Sequence, residues 1–304
     1  MSFLTVKEIA ELWGISERSV RNYCAEGRVP DAFRDGKSWK IPEDAVKPER
    51  SNKRQELPST LPERLQLEKE RKLPGGIYHR VQVDMTYNSN HMEGSTLTHD
   101  QTRYIFETQT VGFALDGEGP KSGVPVDDIV ETANHFLCID LIIDYYNYPL
   151  SERFIKDLHR TLKNGTSDSR QSWFAVGEYK KVPNEVGGKD TTLPGEVSAA
   201  MRSLLTRYRA LTKVTWEDII AFHAEFEAIH PFQDGNGRIG RLIMFKECLR
   251  AGITPFIVPD DQKLLYYSGL AKWQESHGYL DATCRLFQED FVAILDYFQI
   301  DHRE

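Results

Sequence analysis

The chain of 304 residues carries 38 Lys+Arg against 46 Asp+Glu, a formal net charge of −8, with 40% hydrophobic and 28% charged residues. That balance excludes wholesale disorder, and the length suits about two domains of ~150 residues, large enough to bury a core without disulfides or a structural metal. No run approaches the ~18 apolar residues of a membrane span, and Cys24, Cys138, Cys248 and Cys284 stand far apart without CxxC spacing, which argues against a zinc site or a disulfide framework.

The start, Met-Ser-Phe-Leu-Thr, has neither the basic nor the apolar region of a signal peptide, so a reducing cytoplasm is the expected location. Charge is uneven: residues 1–54 hold 11 basic and 9 acidic side chains, a balance of +2, and the remainder balances at −10. The asymmetry hints at a small nucleic-acid-binding piece on an acidic body.

Thr5-Val6-Lys7-Glu8 reads as a capping box opening a helix to Trp13, with Ile9 and Leu12 inward. Gly14 permits a tight turn, Ile15 plugs the core, Ser16 caps a second helix through Ala25, and Gly27 ends it. This spacing is similar to the DNA-binding units of the MerR and excisionase families. Phe33 to Pro42 alternates around Asp35-Gly36, a hairpin signal that supplies the wing of a winged helix-turn-helix over residues 1–50. On that reading Arg18, Ser19, Arg21 and Asn22 face a major groove while Arg34, Lys37 and Lys40 meet phosphates. The competing reading is a helical adaptor whose basic residues are merely solvated, and near-neutral charge weakens the electrostatic case for DNA.

Residues 51–62 are polar and proline-bearing, a linker to a domain over 63–304. Helices are expected over 63–72, 77–92, from the capping box Thr98–Gln101, then over 127–146, 151–163, 196–211, 215–229, 238–250, 260–275 and 280–298, with Gly-rich turns over 116–123. One strand pair fits, Gly177–Val182 returning through Thr191-Thr192-Leu193 across Gly187-Gly188. The body is therefore mainly α with one exposed hairpin.

One segment concentrates the chemistry: His230-Pro231-Phe232-Gln233-Asp234-Gly235-Asn236-Gly237-Arg238-Ile239-Gly240-Arg241. It lies between two amphipathic helices. Gly235-Asn236-Gly237 is a small-residue loop feeding a helix N-terminus, whose free amides and positive end make an anion site. Arg238 and Arg241, three apart, share one helix face and suit a di- or triphosphate. His230, an imidazole with pKa near ~6.5, can accept a proton at cytoplasmic pH, and Asp234 can hold Mg²⁺ beside phosphate oxygens. Phe232 is expected to anchor the loop, and His223, on the apolar stripe of its helix, reads as a core residue.

These twelve residues resemble the Fic family signature HPFx(D/E)GNGRxxR at every specified position, and the likeness extends over roughly residues 80–270. The resemblance implies a Fic-type helical domain with a β-hairpin flap, and transfer of AMP from ATP to a Ser, Thr or Tyr hydroxyl of a protein, the chain itself included. It assigns His230 as the base, Asp234 to Mg²⁺, the amides around Asn236 to the α-phosphate, and Arg238 and Arg241 to the leaving pyrophosphate. Ser89-Asn90-His91-Met92-Glu93-Gly94 resembles the family's inhibitory motif (S/T)xxxE(G/N), which implies self-restraint through Glu93 and Arg241; the same glutamate could instead align a water to remove AMP. Gly177, Glu178, Tyr179 and Lys180 are similar to the flap that clamps target backbone. Many relatives dimerise, although no segment here declares a homodimer interface. Two other readings stay open: a DNA-binding regulator whose body only senses nucleotide, and transfer of another group such as UMP or phosphocholine.

Overall fold

The computed structural model describes residues 2–36, 38–48, 57–112 and 123–302. It divides into two compact units, residues 1–57 and 58–304. In the first, β1 (Phe3–Thr5) leads into α1 (Val6–Trp13) and α2 (Glu17–Ala25), followed by β2 (Phe33–Asp35) and β3 (Ser38–Pro42). Thr5 forms the full capping box with Glu8, Gly14 turns the chain at φ 63°, and Ser16 caps α2 through the Ser19 amide. The wing hairpin pairs Arg34 with Trp39, and β3 also pairs with β1, giving sheet order β1-β3-β2. The strand β1 is a departure from the reading above, which left Phe3–Thr5 outside any sheet. Ile9, Trp13, Val20, Cys24 and Ile41 form the core. Leu12, expected inward, is exposed, because α1 turns Trp13 rather than Leu12 onto that core.

In the second unit the chain runs through α3 (Leu61–Arg71), α4 (Ile77–Met92), α5 (His99–Thr108), α6 (Val126–Tyr145) and α7 (Glu152–Lys163). A two-residue hairpin, β4 (Glu185–Val186) and β5 (Lys189–Asp190), precedes α8 (Pro194–Arg209), α9 (Trp216–Ile229), α10 (Asn236–Ala251), α11 (Lys263–Ala271) and α12 (His277–Tyr297). The segment Asp260–Gln262, expected as helix, is a single 3-10 turn before α11, and α11 stops at Ala271 rather than reaching residue 275. Pro62 sits inside α3, where a proline in the first turn needs no amide partner, so the helix begins within the expected linker.

The centre of this unit is α10, buried along nearly its whole length. Ile239, Leu242, Ile243 and Phe245 pack with Phe222, Phe226 and Ile229 of α9, and the same core takes Val81 and Met85 of α4, Ile139 and Ile142 of α6, and Leu158 and Leu162 of α7. At about 1.5–3 kcal/mol for each large apolar side chain removed from water, this ring of helices fixes both ends of α10. Gly240 lets α9 approach closely: a Cβ there would meet Glu227 Oε1 at 2.5 Å and the His223 ring at 2.7 Å.

Candidate active site

The loop between α9 and α10 is set by its own backbone. α9 ends at Ile229, and His230 takes a left-handed conformation (φ 50°, ψ 62°) while its N–H donates to Phe226 O at 2.9 Å. A non-glycine residue in that region is uncommon, and here Pro231 prevents the helix from continuing. Phe232 is fully buried, with the His159 ring stacked on it at 4.0 Å. Asn236 clamps the turn, its Oδ1 accepting from Phe232 N–H and its Nδ2 donating to Phe232 O, both at 2.8 Å. Gly235, at φ 81°, is the cap of α10, so no side chain covers the first amides of that 16-residue helix. α10 thus begins at Asn236, two residues before the expected start, and its positive end faces the loop.

Both arginines of the segment are buried, and they do not stand together over the loop. Arg238 Nη2 donates to Asp234 Oδ2 at 3.0 Å and Nη1 to Glu131 of α6. Arg241 Nε donates to Ser89 Oγ at 2.9 Å, and its Nη2 to Ser89 O at 3.0 Å and Glu93 Oε1 at 2.6 Å. Three residues apart on a helix, the guanidinium groups splay to different neighbours, one to α6 and the other to the end of α4. Glu93 is the first residue past α4. Its Oε1 lies so close to Gly237 that a Cβ there would meet it at 2.4 Å. The carboxylate therefore lies against the opening turn of α10.

Asp234 is held by cations. Lys163 Nζ donates to its Oδ2 at 2.7 Å, to Asp168 at 3.2 Å and to Glu131. Burial alone would raise the Asp234 pKa, but Arg238 and Lys163 outweigh it and hold the carboxyl well below the usual range. Oδ2 takes both cations, and among the described residues Oδ1 accepts no side-chain hydrogen bond. Among the described residues no group of three or more His, Cys, Asp or Glu could hold a metal ion by itself. The donor set fits Mg²⁺ only as one carboxylate oxygen shared with phosphate oxygens, the usual way that ion is bound beside a nucleotide.

His230 is 16% exposed at the side chain. Burial, then the Lys180 ammonium, lowers its pKa, so the imidazole is neutral at pH 7. Among the described residues its buried Nδ1 has no well-formed hydrogen bond, although the Glu227 backbone carbonyl acts on it, and Glu227 Oε2 is 3.9 Å away. Burial pushes Glu227 up to about 8. A neutral imidazole and an uncapped helix N-terminus thus share one loop, while the two arginines of the segment are drawn to α6 and to the end of α4.

Residues 149–248 match the model of the Fic/DOC family, and residues 3–47 match that of a helix-turn-helix domain. The chain carries a Fic/DOC domain. Over 190 residues it is 33% identical to the protein adenylyltransferase Fic of Drosophila melanogaster, covering 60% of this chain and 35% of that protein. The corresponding protein of Drosophila grimshawi is 31% identical over 192 residues, covering 60% and 36%. The chain thus spans about a third of the length of the curated relatives it matches. Among solved structures, a Fic domain containing signaling protein from Bacteroides thetaiotaomicron superposes with a TM-score of 0.60 at 24% identity, over 80% of this chain and 98% of that one. A Fic family protein from Desulfovibrio desulfuricans gives 0.59 at 22%, over 76% and 69%. At these identities the structures establish a shared fold.

The strand expected over Gly177–Val182 is absent from the Fic/DOC domain. Residues 177–184 run as irregular turns, and the hairpin lies beyond them at β4 and β5, closed by Gly187-Gly188 as anticipated. Consecutive residues Tyr179 and Lys180 are both buried, which an exposed hairpin strand with one face to solvent does not provide. Tyr179 packs on Phe232, Gly177 N–H donates to His159 Nδ1 at 2.9 Å, and Glu178 stays outside in an ion pair with Lys156. His159 completes the bridge by donating from Nε2 to Asp234 O at 3.1 Å, and burial lowers its pKa to about 3, so it remains neutral.

Glu131, His159, Lys163 and Glu227 escaped the sequence reading. Their signal was faint but present: His159 and Lys163 occupy the otherwise apolar stripe of α7 beside Ile155, Leu158 and Leu162. His223, read as a core residue, is buried and bonded to Tyr266.

In the helix-turn-helix unit, Arg18, Arg21 and Asn22 of α2 are exposed, with Arg21 paired to Glu17. Ser19 is half-buried, its hydroxyl 3.0 Å from that of Ser16. Arg34 lies over the Trp39 ring, Lys40 is half-buried in β3, and Lys37 lies outside the described residues. Among the described helices, none is long and apolar enough to cross a membrane.

Proposed function

We propose that this protein transfers AMP from ATP to a side-chain hydroxyl of a target protein, or of itself, and that Glu93 restrains the reaction. One observation carries the reading: His230 ends α9 while the uncapped amides of α10 begin only six residues later, so a proton acceptor and an anion cradle share one rigid loop. Relatives named protein adenylyltransferase support it through about a third of their length.

In the proposed reaction the neutral His230 ring takes the proton of the incoming hydroxyl. The hydroxyl oxygen bonds to the α-phosphorus as the bond to the β-phosphate bridging oxygen breaks, and pyrophosphate leaves with that electron pair. Amides at the start of α10 stabilise the charge on the α-phosphate, while Arg238 and Arg241 hold the departing phosphates. Mg²⁺ held by Asp234 Oδ1 and phosphate oxygens would neutralise part of that charge. Ser89 and Glu93 oppose this arrangement by holding Arg241, and Glu93 also presents a carboxylate where phosphate oxygens would lie.

Incubation with ATP labelled on the α-phosphate, followed by mass spectrometry, tests the reading. Wild type and Glu93→Gly should gain one AMP unit, and His230→Ala should gain none. Label on His230→Ala overturns the assignment of the base; a different adduct from UTP or a choline nucleotide points to another transferred group. The N-terminal unit is proposed to contact DNA through Arg18, Arg21 and Asn22 of α2. Duplex binding that weakens with salt and is lost in Arg18→Ala supports this, and salt-independent behaviour refutes it.

A further inference from the structure

Among the described residues the buried cations Arg64, Lys163, Arg238, Arg241 and Lys246 of the second unit each face a carboxylate. Lys180 does not. It is 3% exposed, and its Nζ donates to Asn184 Oδ1 at 2.6 Å, Thr191 Oγ1 at 2.5 Å and Ile229 O at 3.5 Å, all neutral acceptors. Its own N–H donates to Pro231 O at 2.9 Å. One residue therefore holds the carbonyls on both sides of His230, and Asn184, which it also holds, donates to Phe232 O at 3.0 Å. These bonds brace a histidine in a left-handed conformation that the chain would not adopt unaided.

We infer that Lys180 is a positioning residue for His230: its amide and its buried ammonium hold the carbonyls on either side of the imidazole, and the ammonium stands there without an acid partner. The inference rests on His230 being the base of the proposed reaction. Beyond burial, four charged or titratable groups act on the ring: Lys180 lowers its pKa, Glu93 beyond α4 and Asp234 of the loop raise it, and Glu227 of α9 lies 3.9 Å from Nδ1. Glu93 is bound to Arg241, and Asp234 is bound to Lys163 and Arg238. Glu227, buried, stays protonated at neutral pH. Glu93 and Asp234 are thus engaged by cations and Glu227 is protonated, whereas Lys180, whose pKa burial lowers to about 8, has no acid partner and remains an ammonium below that pH.

The test reads His230 directly. In protein labelled at histidine carbons, the His230 resonance is assigned by its loss in His230→Gln and titrated in wild type, Lys180→Gln and Lys180→Arg. The midpoint should move to higher pH in Lys180→Gln and stay near wild type in Lys180→Arg. Should Lys180→Gln fold poorly, Asn184→Asp supplies a carboxylate to the ammonium with Lys180 in place, and the midpoint should again rise. Self-labelling of Lys180→Gln at pH 6, relative to pH 8, should fall about threefold further than in wild type, because a protonated imidazole is no base. An unmoved midpoint in Lys180→Gln and Asn184→Asp, or an equal shift in Lys180→Arg, overturns the inference. Absence of label from wild type at every pH, with the midpoint still shifting, would instead refute the proposed transfer and leave the placement of Lys180 intact.

Discussion

Glu93→Gly removes one charge-assisted bond from a buried guanidinium and vacates the space against Gly237. Arg241 is 4% exposed at its side chain and keeps its two bonds to Ser89, so the arginine loses a partner without losing its place. A hydrogen bond between charged groups contributes about 1.5–3 kcal/mol. If ATP binds only when that bond is broken, the variant should bind ATP about 10- to 150-fold more tightly, since ~1.4 kcal/mol is tenfold. Calorimetric titration with ATP measures this directly, and self-labelling should rise with it. The same change leaves the buried cation under-compensated, so the unliganded variant should unfold at a temperature about 3–12 °C lower, at about 2–4 °C for each kcal/mol in a unit of this size, and ATP should restore the loss. Equal ATP affinity and equal labelling in wild type and Glu93→Gly would refute the restraint, however the unfolding temperature moved.

Asn236→Ala deletes both bonds to Phe232 and leaves its buried N–H unpaired, while the Phe232 carbonyl keeps the bond from Asn184; stability should fall by about 1–3 kcal/mol in urea unfolding, and labelling should be lost even where the variant is folded. Lys163→Met removes the cation shared by Glu131, Asp168 and Asp234; stability should fall by about 3–5 kcal/mol, and Mg²⁺ without nucleotide should recover part of the loss in this variant but not in wild type. His135, His159 and His223 are buried with pKa values of about 3, against about 6.5 unfolded, so the unfolded chain binds more protons below pH 6.5 and stability falls as pH drops toward 3. Each costs about 2 kcal/mol at pH 5; Glu227, raised to about 8 when folded, works in the opposite sense and returns about 2–3 kcal/mol between pH 7 and pH 5, for a net loss of about 3 kcal/mol. Urea midpoints unchanged or rising over that interval would contradict this assignment of neutral histidines.

What could be read in the sequence was what is encoded locally. The capping boxes at Thr5 and Thr98, the span of α4, and the run from His230 to Arg241 are contiguous, and their physics acts within a few residues. The partners of that run were hidden because they are tertiary: Glu131 lies 107 residues from Arg238, and Lys163 lies 71 from Asp234. Nothing in the order of residues says that polar positions on α6 and α7 will meet beneath the loop. The misread strand has a different cause. Residues 177–182 alternate loosely in polarity, but Tyr179 and Lys180 turn inward together because the underside of the loop offers an aromatic ring to the first and bare carbonyls to the second.

The anion-binding groups of the site are all engaged by the protein's own acids. Arg238 is held by Glu131 and Asp234, Arg241 by Glu93, and the start of α10 has the Glu93 carboxylate against it. A nucleotide that binds here must therefore exchange with a carboxylate, and its affinity reports the difference between the two. The clamps are not equally able to yield. Glu131 is 17% exposed, sits within α6 and also binds Lys163, so withdrawing it would strand two buried cations at once. Glu93 is 27% exposed, lies just past the last turn of α4, and is followed by Gly94 at φ 99°, a conformation open to glycine. Its departure strands one cation that retains two hydrogen bonds. Asp234, like Glu131, also binds Lys163, so of the carboxylates on the arginines Glu93 is the one whose release costs the fold least, which makes the end of α4 the element through which the proposed restraint would be lifted.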